Sequence, residues 1–342
     1  MQTAFFMASN SGGGFYSLYD EFPGDKVFLH IIKGGPGTGK SGFMRRIANK
    51  AQEQGMDTEL ILCSGDPDSL DGLYIPQLKQ AWVDGTAPHV REPRVFGADS
   101  DYVNLGIFCN LPLSKSAAAQ AREINQHYKA LYASAYSYLK AEAAVAGAYE
   151  TEPLSSEYLE QMENIISDIL SAERSRLKKG EARHCRRFIS AISCRGKVRL
   201  DDTVNKLCKQ YYFFEDALQA HQLLTLVARQ AAKAKFDAIL CPEPLRPERL
   251  EALLLPEAGI CFCAAEPERG IKGMRISFGD ELKKSESRQH ENPIKEKLRR
   301  QATELLAQAK ELHDELEAVY RPNMDFAALT AYTDEYIEKL FA

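Results

Sequence analysis

The residues with the clearest chemistry form one unbroken run, Gly34-Gly35-Pro36-Gly37-Thr38-Gly39-Lys40-Ser41, which satisfies G-x-x-x-x-G-K-S/T. Gly34, Gly37 and Gly39 allow backbone conformations that other residues avoid, so successive N–H groups can face one anion. Lys40 is the residue that reaches the β and γ phosphates, and the Ser41 hydroxyl is the ligand for Mg²⁺. Gly35, Pro36, Thr38 and Gly42 complete the set expected to line the phosphates. The predicted ligand is a nucleoside triphosphate with its magnesium ion. No N/T-K-x-D base-reading motif stands at a suitable place, which favours ATP over GTP.

A magnesium ion on Ser41 needs a further protein oxygen, usually an Asp at the end of a buried strand. Ala81-Trp82-Val83-Asp84 offers one, and Asp84 joins Lys40 and Asp66 as a candidate catalytic residue. Gly85 follows Asp84, so the acid that activates water in many motor-type ATPases is not at that place; alternatively Asp84 only opens an Asp-Gly turn. The loop Ser64-Gly65-Asp66-Pro67-Asp68-Ser69-Leu70-Asp71 follows a second predicted strand, where an open α/β sheet keeps its ligand crevice. Asp66 and Asp68 either polarise an acceptor hydroxyl or a metal-bound water, or begin a short helix with Pro67 in its first turn.

Weaker candidates surround these. His89, after Thr86-Ala87-Pro88, either senses the γ phosphate or is structural. The basic stretch Arg174, Arg176, Lys178, Lys179, Arg183, Arg186, Arg187 is either a solvated helix face or the source of an arginine finger, with Arg183 and Arg187 as candidates. Ser11-Gly12-Gly13-Gly14 is either an entry turn or a backbone cover over the base.

The elements that must position these residues are legible as an alternation. Lys26 to Ile32 is a short, largely apolar run expected to be a buried parallel strand, and Ser41 to Ala51 continues as a helix whose first turn faces the glycine loop. A second strand, a polar loop with a short helix, and a third strand follow, which together predict an α/β fold with a parallel sheet and right-handed crossovers. The pattern then recurs. Ile61-Leu62-Cys63 with Pro67, Leu70-Asp71 and Ile75-Pro76 returns as Ile239-Leu240-Cys241 with Pro247, Leu250-Glu251 and Leu255-Pro256. Phe28 to Ile32 matches Gln210 to Phe214, and Ile47 to Ala51 matches Val227 to Ala231.

Near-heptad apolar positions at Ile124, Leu131 and Leu139, and at Leu298, Leu305, Leu312 and Val319, predict that each half ends in a helical hairpin. The expected organisation is an internal duplication, with halves 1–182 and 183–342 and hairpins near 115–171 and 294–341. Glu215 to His221, where the second half would carry its phosphate loop, has no glycine and no lysine.

The chain has 342 residues, 44% of them apolar, enough for a real core. Its net charge of −5 gives no field that would gather nucleic acid. Met1 to Met7 lacks a basic region, a polar glycine stretch interrupts it, and no later run is long enough to span a membrane, so a cytoplasmic protein is expected. The eight cysteines include no C-x-x-C pair and read as reduced thiols.

With the phosphate loop, the acidic loop at Cys63 to Gly72 and Asp84-Gly85-Thr86-Ala87-Pro88-His89, the chain resembles an uncharacterised family of bacterial tandem P-loop ATPases along its whole length. That resemblance implies two P-loop units, the second often with its own phosphate loop; this chain departs from the pattern and implies a catalytic half beside a silent one. Three activities fit: an ATPase whose second half regulates or forms an interface, a phosphotransferase with Asp66 or Asp68 as base, and a slow ATP-dependent switch with its output on the hairpins. The hairpins would also serve a protein partner or self-association.

Overall fold

The computed structural model describes residues 1–87, 90–148, 154–173, 182–214, 220–264, 273–276 and 293–342. The chain opens with β1 (Gln2–Phe6), the hairpin of β2 (Ala8–Ser11) and β3 (Gly14–Ser17), then β4 (Phe28–Lys33), the glycine loop and α1 (Lys40–Glu53). Four strands follow, β5 (Thr58–Leu62), β6 (Leu70–Ile75), β7 (Gln80–Asp84) and β8 (Ser100–Asn104), and then two helices, α2 (Lys115–Gly147) and α3 (Ser156–Ala172). The same succession returns: β9 (His184–Arg186), β10 (Ser190–Ser193), β11 (Gly196–Arg199), the short α4 (Asp201–Leu207), β12 (Gln210–Phe214) and α5 (Ala220–Lys233). It ends with β13 (Ala238–Pro242), β14 (Leu250–Leu255), β15 (Ile260–Cys263), β16 (Met274–Ile276), α6 (Pro293–Tyr320) and α7 (Phe326–Phe341).

Two similar halves result. The first sheet runs β1-β5-β6-β7-β4-β8 and the second β9-β13-β14-β15-β12-β16, the same order element for element. Every strand pair predicted to correspond occupies the same place in its sheet. The sheets are mixed, however, with β6 and β14 antiparallel to both neighbours and the remaining pairs parallel. The expectation of a purely parallel sheet is corrected here, and so is that of a short helix at Asp66-Pro67. Ser69 N–H bonds Asp66 O and Cys63 N–H bonds Ser69 O, so the loop after β5 folds straight back into β6. Only residues 76–79 separate β6 from β7, with Lys79 at φ 52°, and a connection that short makes a hairpin, never a crossover.

The inner faces of the two sheets share one apolar core, in which Phe5, Ile31 and Val83 meet Ala252, Leu254 and Cys261. A local two-fold relates the halves, marked by Phe6 and Phe188, which exchange backbone hydrogen bonds of 2.9 and 3.0 Å. Gly12 N–H bonds Leu245 O at 2.9 Å and Cys194 N–H bonds Gly65 O at 3.4 Å in the same sense.

The helices occupy the predicted positions, but their packing crosses between halves. α2 lies antiparallel along α6: Ala121 and Ile124 meet Leu316, Ala135 and Leu139 meet Ala302 and Leu306, and Arg299 makes two hydrogen bonds to Glu142, of 2.6 and 2.7 Å. α3 buries Met162, Ile166 and Leu170 against α5 of the second half, while α7 covers α1 and Trp82 of the first. The outer face of each sheet is thus closed by the last helix of the opposite repeat. No helix among the described residues is long and apolar enough to cross a membrane.

Candidate functional site

Strand register places the site. Ile32, near the end of β4, pairs with Asp84 at the end of β7, and Gly85 N–H bonds Ile32 O, so the loop leaving β4 starts beside the Asp84 carboxylate. Gly37 and Gly39 adopt φ of 68° and 84°, the left-handed region where glycine is favoured. Gly39 is the N-cap of α1 and offers no side chain to the first turn, whose N–H groups therefore face the loop, the arrangement that suits an anion.

Around this cradle the polar contacts are specific. Lys40 Nζ donates to Gly35 O at 2.8 Å and Gly34 O at 3.3 Å, and sits 3.6 Å from Asp84 Oδ2. Thr38 Oγ1 donates to Gly35 O at 2.9 Å, and Ser41 Oγ accepts from Leu70 N–H at 2.9 Å, which ties α1 to β6. Asp84 Oδ1 accepts from Thr86 N–H at 2.9 Å and from Thr86 Oγ1 at 2.5 Å. One Asp84 oxygen thus shapes the turn and the other faces Lys40.

These residues floor a cavity of about 970 Å³, at the upper end of the range for small-molecule sites. Gly34 to Gly42, Asp66 and Asp84 all line it. Asp66 arrives already engaged, accepting from Asp68 N–H at 3.3 Å and Ser69 Oγ at 3.2 Å and lying 3.4 Å from Lys310 of α6. Asp68 does not line the cavity; its carboxylate pairs with Arg195 on the surface.

The two arginine-finger candidates are elsewhere. Arg183 pairs with Asp237 at 3.2 Å and Arg187 is buried against Glu59 at 2.7 Å, beside the junction of the sheets, and neither reaches the cavity. Burial works against the Arg187 charge, but Glu59 and its other neighbours together raise the guanidinium pKa. The turn at Gly12 is packed on Ala143 and Leu245 and belongs to the contact between halves, not to the cavity. His89, Arg174, Arg176, Lys178, Lys179 and residues 215–219 lie outside the described residues.

Sequence reasoning missed the walls. Asp71, buried at the start of β6, lines the cavity beside Cys63. Enclosure, and secondarily the Asp71 charge, pushes the Cys63 thiol well above its ordinary range. The roof is built from α2, through Arg122, Asn125 and Tyr128, and from α6, through Glu317, Tyr320 and the following Arg321. No local signal marks these positions, since each sits on an ordinary polar helix face far along the chain.

Among the described residues no group of three or more His, Cys, Asp or Glu forms a self-sufficient metal site. No family model, no curated protein and no solved structure matches the chain.

Proposed function

We propose that this protein is a P-loop NTPase that binds Mg-ATP at a single site in its first half and hydrolyses it, with a second half descended from the same unit by internal duplication and no longer able to hold a triphosphate. The observation that carries this reading is the position of Lys40. Its ammonium lies at the mouth of a loop whose Gly37 and Gly39 take positive φ, 3.6 Å from Asp84, under a cavity roomy enough for a nucleotide.

In this reading the backbone N–H groups of Gly35 to Gly42 orient the phosphates, and Lys40 leaves its own loop carbonyls for the β and γ oxygens. Ser41 and Asp84 would hold Mg²⁺, which would supply positive charge to neutralise the phosphates. Thr86 fixes one oxygen of the Asp84 carboxylate and leaves the other beside Lys40.

A phosphotransferase reading is favoured by one observation: the cavity extends past the loop to Asp66, Asp71 and Tyr128, leaving room for an acceptor. Phosphate release from Mg-ATP by the wild type and by Lys40→Ala, with calorimetric binding of a non-hydrolysable ATP analogue to both, tests the assignment. Wild-type binding lost in Lys40→Ala supports it, and unaided turnover selects the ATPase; binding without turnover moves the acceptor reading ahead. An analogue that the wild type does not bind rules out both readings.

A further inference from the structure

We infer that Arg321, on the turn that ends α6 of the second half, supplies the cation that meets the γ phosphate bound in the first half. The inference rests on the nucleotide reading above and adds a residue to it.

Lys40 marks the end of the loop where the γ phosphate lies, because it is the residue that reaches the β and γ oxygens and its ammonium sits on the carbonyls of Gly35 and Gly34. The end of α6 crosses that same end of the loop. A Cβ built on Gly37 would stand 3.2 Å from the Cβ and backbone oxygen of Glu317, and one on Gly35 would stand 3.5 Å from Cε1 of Tyr320. Arg321 follows Tyr320 directly, lines the cavity, and is 64% exposed at its side chain, so it has the freedom to swing toward an anion.

Its ion-pair partner among the described residues is Glu317, 3.2 Å away on the preceding turn. A single carboxylate holds so exposed an arginine weakly, whereas a γ phosphate offers more charge and two oxygens for bidentate contact. The other cations near the cavity are more firmly committed: Lys310 bridges Asp66 and Asp314, and Lys33 donates to Glu92 and to the carbonyls of Gly85 and Arg91. Arg122 also lines the cavity, but from α2, whereas the nearest neighbours of a Cβ built on Gly37 or Gly35 lie on α6. A half without a phosphate loop therefore completes the site of the other half, the role the sequence assigned to Arg183 or Arg187.

The test compares wild type, Arg321→Ala, Arg321→Lys, Arg122→Ala and Lys40→Ala, with Arg300→Ala as an exposed control on the same helix. Calorimetry with magnesium measures affinity for ADP and for a non-hydrolysable ATP analogue, and phosphate release measures turnover. Arg321→Ala is expected to bind ADP like the wild type and to lose triphosphate affinity by about tenfold to a hundredfold, the scale of one charge-assisted hydrogen bond. Turnover should fall by about a thousandfold or more, with Arg321→Lys between. An unchanged preference for triphosphate in Arg321→Ala, or a loss seen only in Arg122→Ala, overturns the inference. A wild type that binds neither nucleotide overturns the site assignment itself, whereas Lys40→Ala failing while Arg321→Ala behaves normally removes Arg321 alone.

Discussion

Lys40 is satisfied by the carbonyls of its own loop, so a phosphate must displace hydrogen bonds that already exist, and the net gain per contact is modest even though the charge attraction is large. Glu317 poses the same competition for Arg321. Glu317→Gln removes the charge that restrains that guanidinium and should raise triphosphate affinity severalfold, by about 1 kcal/mol or less for a pair whose arginine is largely exposed, while ADP affinity stays put; calorimetry with both nucleotides reads the difference. Gly39 is constrained twice, by φ of 84° and by Leu329 Cδ2 only 2.8 Å from where a Cβ would stand. Gly39→Ala should therefore destabilise the fold by about 1–3 kcal/mol, measured by urea denaturation, in addition to weakening nucleotide binding. The loop and Asp84 were legible in the sequence because their chemistry is encoded in contiguous residues. Arg321 was not, because what matters about it is that its helix end crosses Gly35 and Gly37, a contact between residues nearly the whole chain apart.

At the scale of elements, the junction of β7 with α7 ties the loop region to the C-terminus. Trp82 is fully buried, its indole N–H donates to Tyr336 OH at 3.0 Å, and Phe43 of α1 meets the same tyrosine edge to face at 5.1 Å between ring centres. Tyr336→Phe keeps the ring and orphans the indole N–H. The expected cost is about 1–3 kcal/mol, seen as a lower urea midpoint and as faster hydrogen exchange in α7 than in α3. In the first half β4, β5 and β7 were read from their apolar runs, whereas β1, β2, β3 and β8 were not, and β6 was taken for loop and helix. Asp66-Pro67-Asp68 carries the residues of a helix start; instead Asp66 folds a turn by accepting from Asp68 and Ser69, and Leu70 begins a strand anchored by its N–H to Ser41. A propensity signal lost to a tertiary hydrogen bond.

Across the whole molecule the halves are interlocked. Arg187 and Glu59 join them in a pair whose arginine side chain is only 6% exposed. Arg187→Ala leaves the Glu59 carboxylate without its partner in a largely enclosed place, and should lower stability by about 3–5 kcal/mol without shifting nucleotide affinity; denaturation and calorimetry on the same preparation separate the two. The exchange of α3 and α7 makes a second prediction. Residues 1–182 produced alone would leave the apolar stripe of Met162, Ile166 and Leu170 uncovered and would lack the cover of α7. That fragment should aggregate, and co-production with residues 183–342 should restore a soluble pair on gel filtration. The repeat of strands was readable because matched apolar runs recur in matched order. The exchange of helices was not, because an amphipathic stripe records that a helix is buried and says nothing about which sheet receives it.

The backbone pairing of Phe6 with Phe188 has a bearing on inheritance. Two identical subunits meeting across such an axis must share every substitution, because one gene writes both. In the duplication proposed above, copies joined head to tail are released from that equality. The halves are held together by backbone bonds, apolar faces and the Arg187–Glu59 pair, so under that proposal one copy is free to discard its loop and keep its place while the other carries the chemistry.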